Sequence, residues 1–164
     1  MRSLSGILWL LLAAACSRAG NTDSTQAPAR SPEYHGKVVI SGSEPTTSVQ
    51  LVGSDGNMEL VGDLEPELRR LAGATLAVHG SLEGQPPARR LDVESYEITE
   101  IDGEPPSTGV LQSRDGYLWL VGRDTLKVVG APEALQAKAG AKVWIVGARS
   151  GSELAVQSYG VIRE

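Results

Sequence analysis

The sequence predicts a mainly β protein in which one small barrel is written twice, behind an export leader and a polar tether. Three observations predict it. Glycine occurs 19 times in 164 residues and Phe is absent, a composition that favours strands joined by tight turns over long helices. Apolar and polar residues alternate in short runs such as Leu91-Asp92-Val93-Glu94, the period of a half-buried strand. The third is an internal repeat between residues 34–104 and 105–164. Leu51-Val52-Gly53-Ser54-Asp55 returns as Leu120-Val121-Gly122-Arg123-Asp124, Val61-Gly62 as Val129-Gly130, and Pro66-Glu67 as Pro132-Glu133. Ala72-Gly73-Ala74 returns as Ala139-Gly140-Ala141, Gly80 as Gly147, and Leu91, Val93, Ser95-Tyr96 as Leu154, Val156, Ser158-Tyr159.

The first element is a processing signal. Met1-Arg2-Ser3 is a short basic start, Ile7 to Leu12 is strongly apolar, and three alanines follow. That is the layout of a secretory leader, and the run is shorter than the roughly 20 apolar residues of a spanning helix. Leu12-Ala13-Ala14-Ala15-Cys16 resembles the lipobox of bacterial lipoproteins, departing from its usual form in having Ala13 where Leu is typical. The resemblance implies that residues 1–15 are removed and that Cys16 carries a diacylglyceryl thioether. Each buried CH₂ contributes ~0.8 kcal/mol and one chain binds only reversibly, so two or three chains on one residue are needed for lasting attachment. Ser17, not Asp, follows the Cys, which in lipoproteins of double-membrane bacteria resembles outer-membrane sorting. The expected location is therefore the cell envelope, on the outer membrane facing the periplasm.

Residues 16–33 form the expected tether. Ser17 to Pro32, SRAGNTDSTQAPARSP, lacks apolar periodicity and cannot bury enough surface to fold. As a flexible chain it spans ~20 Å, enough to hold a domain just off a membrane surface.

Each copy then reads as strand, strand, strand, helix, strand, strand. The first strand starts near Gly36-Lys37-Val38-Val39-Ile40 or Gly109-Val110-Leu111; the second covers Ser48 to Val52 or Tyr117 to Val121; the third covers Met58 to Val61 or Leu126 to Val129. A helix is expected over Glu65 to Leu71, stopped by Gly73, and over Pro132 to Ala139, stopped by Gly140, because an early Pro with acids beside it and a Gly past the end is the helix asymmetry. The fourth strand covers Ala74 to Val78 or Lys142 to Val146, and the fifth Arg90 to Ile101 or Glu153 to Ile162. In the fifth strand the apolar parity changes between Val93 and Tyr96, and again between Val156 and Tyr159, so a β-bulge is expected at Ser95 and at Ser158. This order resembles the OB-fold, a five-stranded Greek-key barrel; a pair of SH3-like barrels is the alternative. Cores this small predict that the copies support each other by packing.

Composition narrows the function. The formal net charge is −5 and the pI about 5.1, which argues against a nucleic-acid partner. The single Cys lies in the leader region, so the exported body has no disulfide and no thiol chemistry. No GxSxG or Walker loop occurs, and His35 and His79 lack zinc-type spacing. No cofactor, metal or catalytic set is expected. Asp92, Glu94, Glu97, Glu100, Asp102 and Glu104 form an acidic run, by default a solvated face. Alternation turns Leu118, Leu120, Val143 and Ile145 inward and Tyr117, Trp119, Lys142 and Trp144 outward, with Lys127 outward on the third strand. Trp119 and Trp144 align with Gln50 and Ala77, so the second copy alone carries these aromatics. Outward Trp in one of two tandem copies packs against the other copy or a partner more often than it binds a ligand; an aromatic ligand platform of OB type stays open. The function expected is a membrane-anchored binding or scaffold module for an envelope protein, peptide or glycan. The alternatives are a small hydrolase using surface carboxylates, which these barrels give little pocket to support, and a structural protein with no small ligand.

Overall fold

The computed structural model describes residues 32–164. Cys16, the leader and nearly all of the tether lie outside the described residues. Glu33, assigned to the tether by composition, is the first residue of a strand.

Residues 33–100 form β1 (Glu33–Ser43), β2 (Thr46–Gly53), β3 (Gly56–Val61), α1 (Glu65–Arg70), β4 (Thr75–Glu83) and β5 (Arg90–Glu100). Residues 107–163 repeat them as β6 (Ser107–Arg114), β7 (Tyr117–Gly122), β8 (Thr125–Val129), α2 (Glu133–Gln136), β9 (Lys142–Ser150) and β10 (Glu153–Arg163). The first set closes as a barrel in the order β1-β2-β3-β5-β4, and the second closes in the equivalent order β6-β7-β8-β10-β9. All pairings are antiparallel except the closing seams β3–β5 and β8–β10. Five strands in this order, with one helix between the third and fourth, are the OB-fold. The chain is two of them in tandem.

Alternation builds both cores. In the first barrel Val38, Val49, Leu51, Met58, Leu60, Leu76, Val78 and Leu91 point inward and are buried, and Leu68 and Leu71 enter from the helix segment. In the second, Leu111, Leu118, Leu120, Leu126, Val128, Val143, Ile145 and Leu154 do the same, with Leu135 from α2. The inward assignment of Leu118, Leu120, Val143 and Ile145 therefore holds.

The expected parity change in the fifth strand is a bulge in both copies. Pairing steps from Val93 to Ser95 against Gly80 and His79, and from Val156 to Ser158 against Gly147 and Val146. The residues left out of the ladder are Glu94 and Gln157, one place before the expected serines. Gly147 is required there, because a Cβ on it would lie 1.8 Å from the Ala155 carbonyl oxygen. The expected helix over Pro132 to Ala139 is shorter than the sequence suggests. Pro132 is extended at ψ 156° and caps a helix of four residues, and the following residues turn toward Gly140 instead of continuing it.

Between the barrels the chain makes a tight turn. Ile101 and Glu104 exchange backbone hydrogen bonds of 2.9 and 3.0 Å, around Asp102 and Gly103 with φ of 51° and 85°. Paired positive φ values are those of a two-residue hairpin turn. The barrels also share apolar packing: Val146 and Ile162, from the second, belong to the first barrel's buried cluster. Among the described residues no helix is long and apolar enough to cross a membrane.

Candidate functional site

The five surface residues singled out in the second copy fall into two groups. Lys142 and Trp144, on β9, face the first barrel. Trp144 packs against the first barrel's core cluster, beside Leu71, Ala74 and Ile101. Its ring lies over Gly160, its direct partner on β10, where a Cβ would come within 2.5 Å of the indole Nε1. The equivalent pair in the first copy is Ala77 and Glu97. A large residue on one strand is thus matched by loss of the side chain opposite, the cross-strand fit by which an aromatic covers a glycine.

Lys142 completes a second contact that the sequence did not reveal. Glu67, on α1, is 6% exposed and gathers three donors. Tyr96 Oη donates to its Oε2, Lys142 Nζ donates to the same oxygen at 2.8 Å, and Arg163 Nη1 lies 3.0 Å from Oε1. Lys142 Nζ also stands 3.1 Å from Tyr96 Oη and 4.8 Å from the centre of its ring. Burial would raise the Glu67 pKa, but the hydrogen bonds from Lys142 and Tyr96 and the charges of Lys142 and Arg163 outweigh it and hold the carboxyl below its ordinary value. Tyr96 is driven the other way, above the ordinary phenol range, by burial and by the Glu67 carboxylate that its hydroxyl serves. The helix hydrogen bonds pair Leu68 with Leu135 and Leu71 with Lys138, so Glu67 stands where the second copy has Ala134, one place off the Pro66-Glu67 to Pro132-Glu133 match made on sequence.

Tyr117, Trp119 and Lys127 stay on the outer face of β7 and β8. Tyr117 is 53% exposed. Lys127 Nζ sits 4.0 Å above its ring centre, a cation–π contact, and 3.6 Å from Glu153 across the closing seam. Trp119 lies in register between Gln112 on β6 and Lys127 on β8. Its Nε1 is buried and has no hydrogen-bond partner among the described residues. In the first barrel the corresponding row is Val39, Gln50, Glu59 and Arg90, with Arg90 Nε 3.3 Å from Glu59. The seam ion pair is therefore present in both barrels with its signs exchanged, and only the second adds an aromatic surface beside it.

The remaining candidates are placed as follows. Every residue of the acidic run from Asp92 to Glu104 is exposed, and Glu97 lies 3.7 Å from Arg123 of the second barrel. His35 and His79 both reach Glu33, at 2.6 and 3.0 Å. Among the described residues no group of three or more His, Cys, Asp or Glu is arranged to hold a metal ion. Ser95 and Ser158 adjoin the bulges, and Cys16 lies outside the described residues.

No protein-family model matches the chain, and no curated protein matches it. Among solved structures it is similar to the tetrameric p202 HIN2 at 8% identity, over 80% of this chain and 93% of that one, with a TM-score of 0.28. Nothing is carried over from a likeness that weak, and the fold rests on the strand order and pairing above.

Proposed function

We propose that the protein is a lipid-anchored envelope module that binds an envelope protein, peptide or glycan on the outer face of its second barrel, at Tyr117, Trp119 and Lys127. The observation that carries this reading is the Trp119 indole N–H, buried and without an acceptor among the described residues. A buried donor left unpaired costs about 1–3 kcal/mol, and a ligand carbonyl or hydroxyl recovers that loss. The Gln112 and Lys127 side chains flank the indole in register on the two neighbouring strands. Tyr117, already exposed, supplies the adjoining stacking surface.

The leader and tether support the location: Cys16 supplies the membrane attachment, and residues 16–33 supply the reach. The reading is binding rather than catalysis, in the periplasm and without nucleic acid. It is tested by titrating the purified protein with cell-wall glycan fragments and envelope peptides while following Trp fluorescence. A saturable change that Lys127→Ala or Tyr117→Ala weakens about tenfold is expected, since stacking and charge-assisted contacts contribute about 1–3 kcal/mol. A flat response to every glycan and peptide would remove the proposal.

A further inference from the structure

A second concave site lies where residues of both barrels meet, beside the Lys142–Tyr96 contact. It encloses about 380 Å³, within the range of small-ligand pockets, and such pockets favour the junctions between domains. Buried Ile98 from the first barrel and Leu120, Leu126 and Ile162 from the second back it, and its exposed lining is largely polar, with Ser107 and Thr108 beside the charged residues. Its cations are Arg123, Lys142 and Arg149, against two carboxylates, Glu97 and Asp124. A locally positive hollow is unexpected on a chain with a formal net charge of −5.

The repeat serves as an internal control. Arg123, Lys142 and Arg149 occupy the positions of Ser54, Thr75 and Leu82 in the first copy. All three cations are thus specific to the second copy, and all three converge on one cleft. The fold does not need them, because the first barrel closes without them.

The three are held unequally. Lys142 is fixed by Glu67 and Tyr96 and acts as a stationary charge. Arg149 pairs with Asp124 at 2.9 Å, with both side chains about half exposed. Arg123 is 85% exposed and only 3.7 Å from an exposed Glu97. Exposed pairs of this kind contribute little, so a competing anion can exchange for Glu97 or Asp124 at small cost. A guanidinium also offers two parallel donors to a carboxylate or phosphate.

We infer that the cleft between the barrels binds a small organic anion, its carboxylate or phosphate held by Arg123 and Arg149. The site is separate from the Trp119 surface.

The test is NMR titration of the ¹⁵N-labelled protein with sodium hexanoate, hexyl phosphate and 1-hexanol, following the Arg side-chain Nε–H signals. At least one of the two anions should shift the Arg123 and Arg149 signals saturably, and the tighter one identifies the headgroup. Hexanol should bind at least about tenfold more weakly, and Arg123→Gln or Arg149→Gln should each weaken the anion about fivefold or more, in line with charge-assisted hydrogen bonds. Both arginines are exposed, so the melting temperature should be unchanged, and Trp119→Ala should leave anion affinity intact. The inference is overturned if neither anion saturates, if hexanol binds as tightly as the anions, or if the double arginine variant keeps wild-type affinity.

Discussion

Glu67 holds the first barrel to the second through Lys142 and Arg163, and to its own β5 through Tyr96. Removing one partner of a buried, hydrogen-bonded charge costs more than the contact gains, because the others are left unpaired. Lys142 and Arg163 are partly exposed, at 30% and 64%, which lets water take over part of the loss. Glu67→Ala should therefore lower stability by about 2–3 kcal/mol in urea unfolding. The pH dependence follows from the direction of the shift. The Glu67 carboxyl is more acidic folded than its ordinary 4.5, so its contribution is complete above that value and is lost as pH falls through the depressed one. Glu67→Gln should lack this acid-side loss when its unfolding free energies at pH 6 and pH 3 are compared with those of the wild type. A wild-type curve that Glu67→Gln reproduces unchanged at both pH values would deny Glu67 this role.

At the scale of elements, the β9–β10 pair leaves no room for a side chain at two glycines. The bulge at Gln157 brings the Ala155 carbonyl against Gly147, and the Trp144 ring fills the space above Gly160. Overpacking a filled site typically costs about 1–3 kcal/mol. Gly147→Ala should reach at least the upper part of that range in a thermal melt, because its obstruction is backbone. Gly160→Ala should cost less, since the indole can tilt, and should shift Trp emission to the red. Equal, negligible effects would contradict the described packing. The sequence made much of this legible. The repeat and the alternation located ten strands and two helices, and the parity change at Val93 and Val156 placed each bulge within one residue. Outward Trp119 and Trp144 were also readable, but not their different fates, because alternation assigns a face without saying what covers it. Trp144 is covered by the other barrel, a long-range fact that Gly160 hints at only once the pairing is known. Glu67 was missed for the same reason, and because matching Pro66-Glu67 to Pro132-Glu133 hid that its structural counterpart is Ala134.

At the scale of the molecule, the barrels are joined by shared apolar packing at Val146 and Ile162, by the Glu67 contacts, and by the tight turn at Asp102-Gly103. They should therefore unfold together. Calorimetry should give one transition whose van't Hoff and calorimetric enthalpies agree, and Glu67→Ala combined with Ile162→Ala should split it in two. The proposed anchor belongs to this scale as well: Cys16→Ser should release the protein from membranes and abolish fatty-acid labelling, whereas unchanged labelling would remove the lipoprotein reading. The central claim is that two outward tryptophans divide two tasks, Trp144 joining the barrels and Trp119 serving the ligand. One measurement tests it directly: glycan and peptide affinity beside melting temperature for Trp119→Ala and Trp144→Ala. The prediction is about tenfold or greater loss of affinity with near-wild-type melting for Trp119→Ala, and a loss of about 2–4 kcal/mol in stability for Trp144→Ala. Wild-type affinity in Trp119→Ala, or wild-type stability in Trp144→Ala, would contradict it.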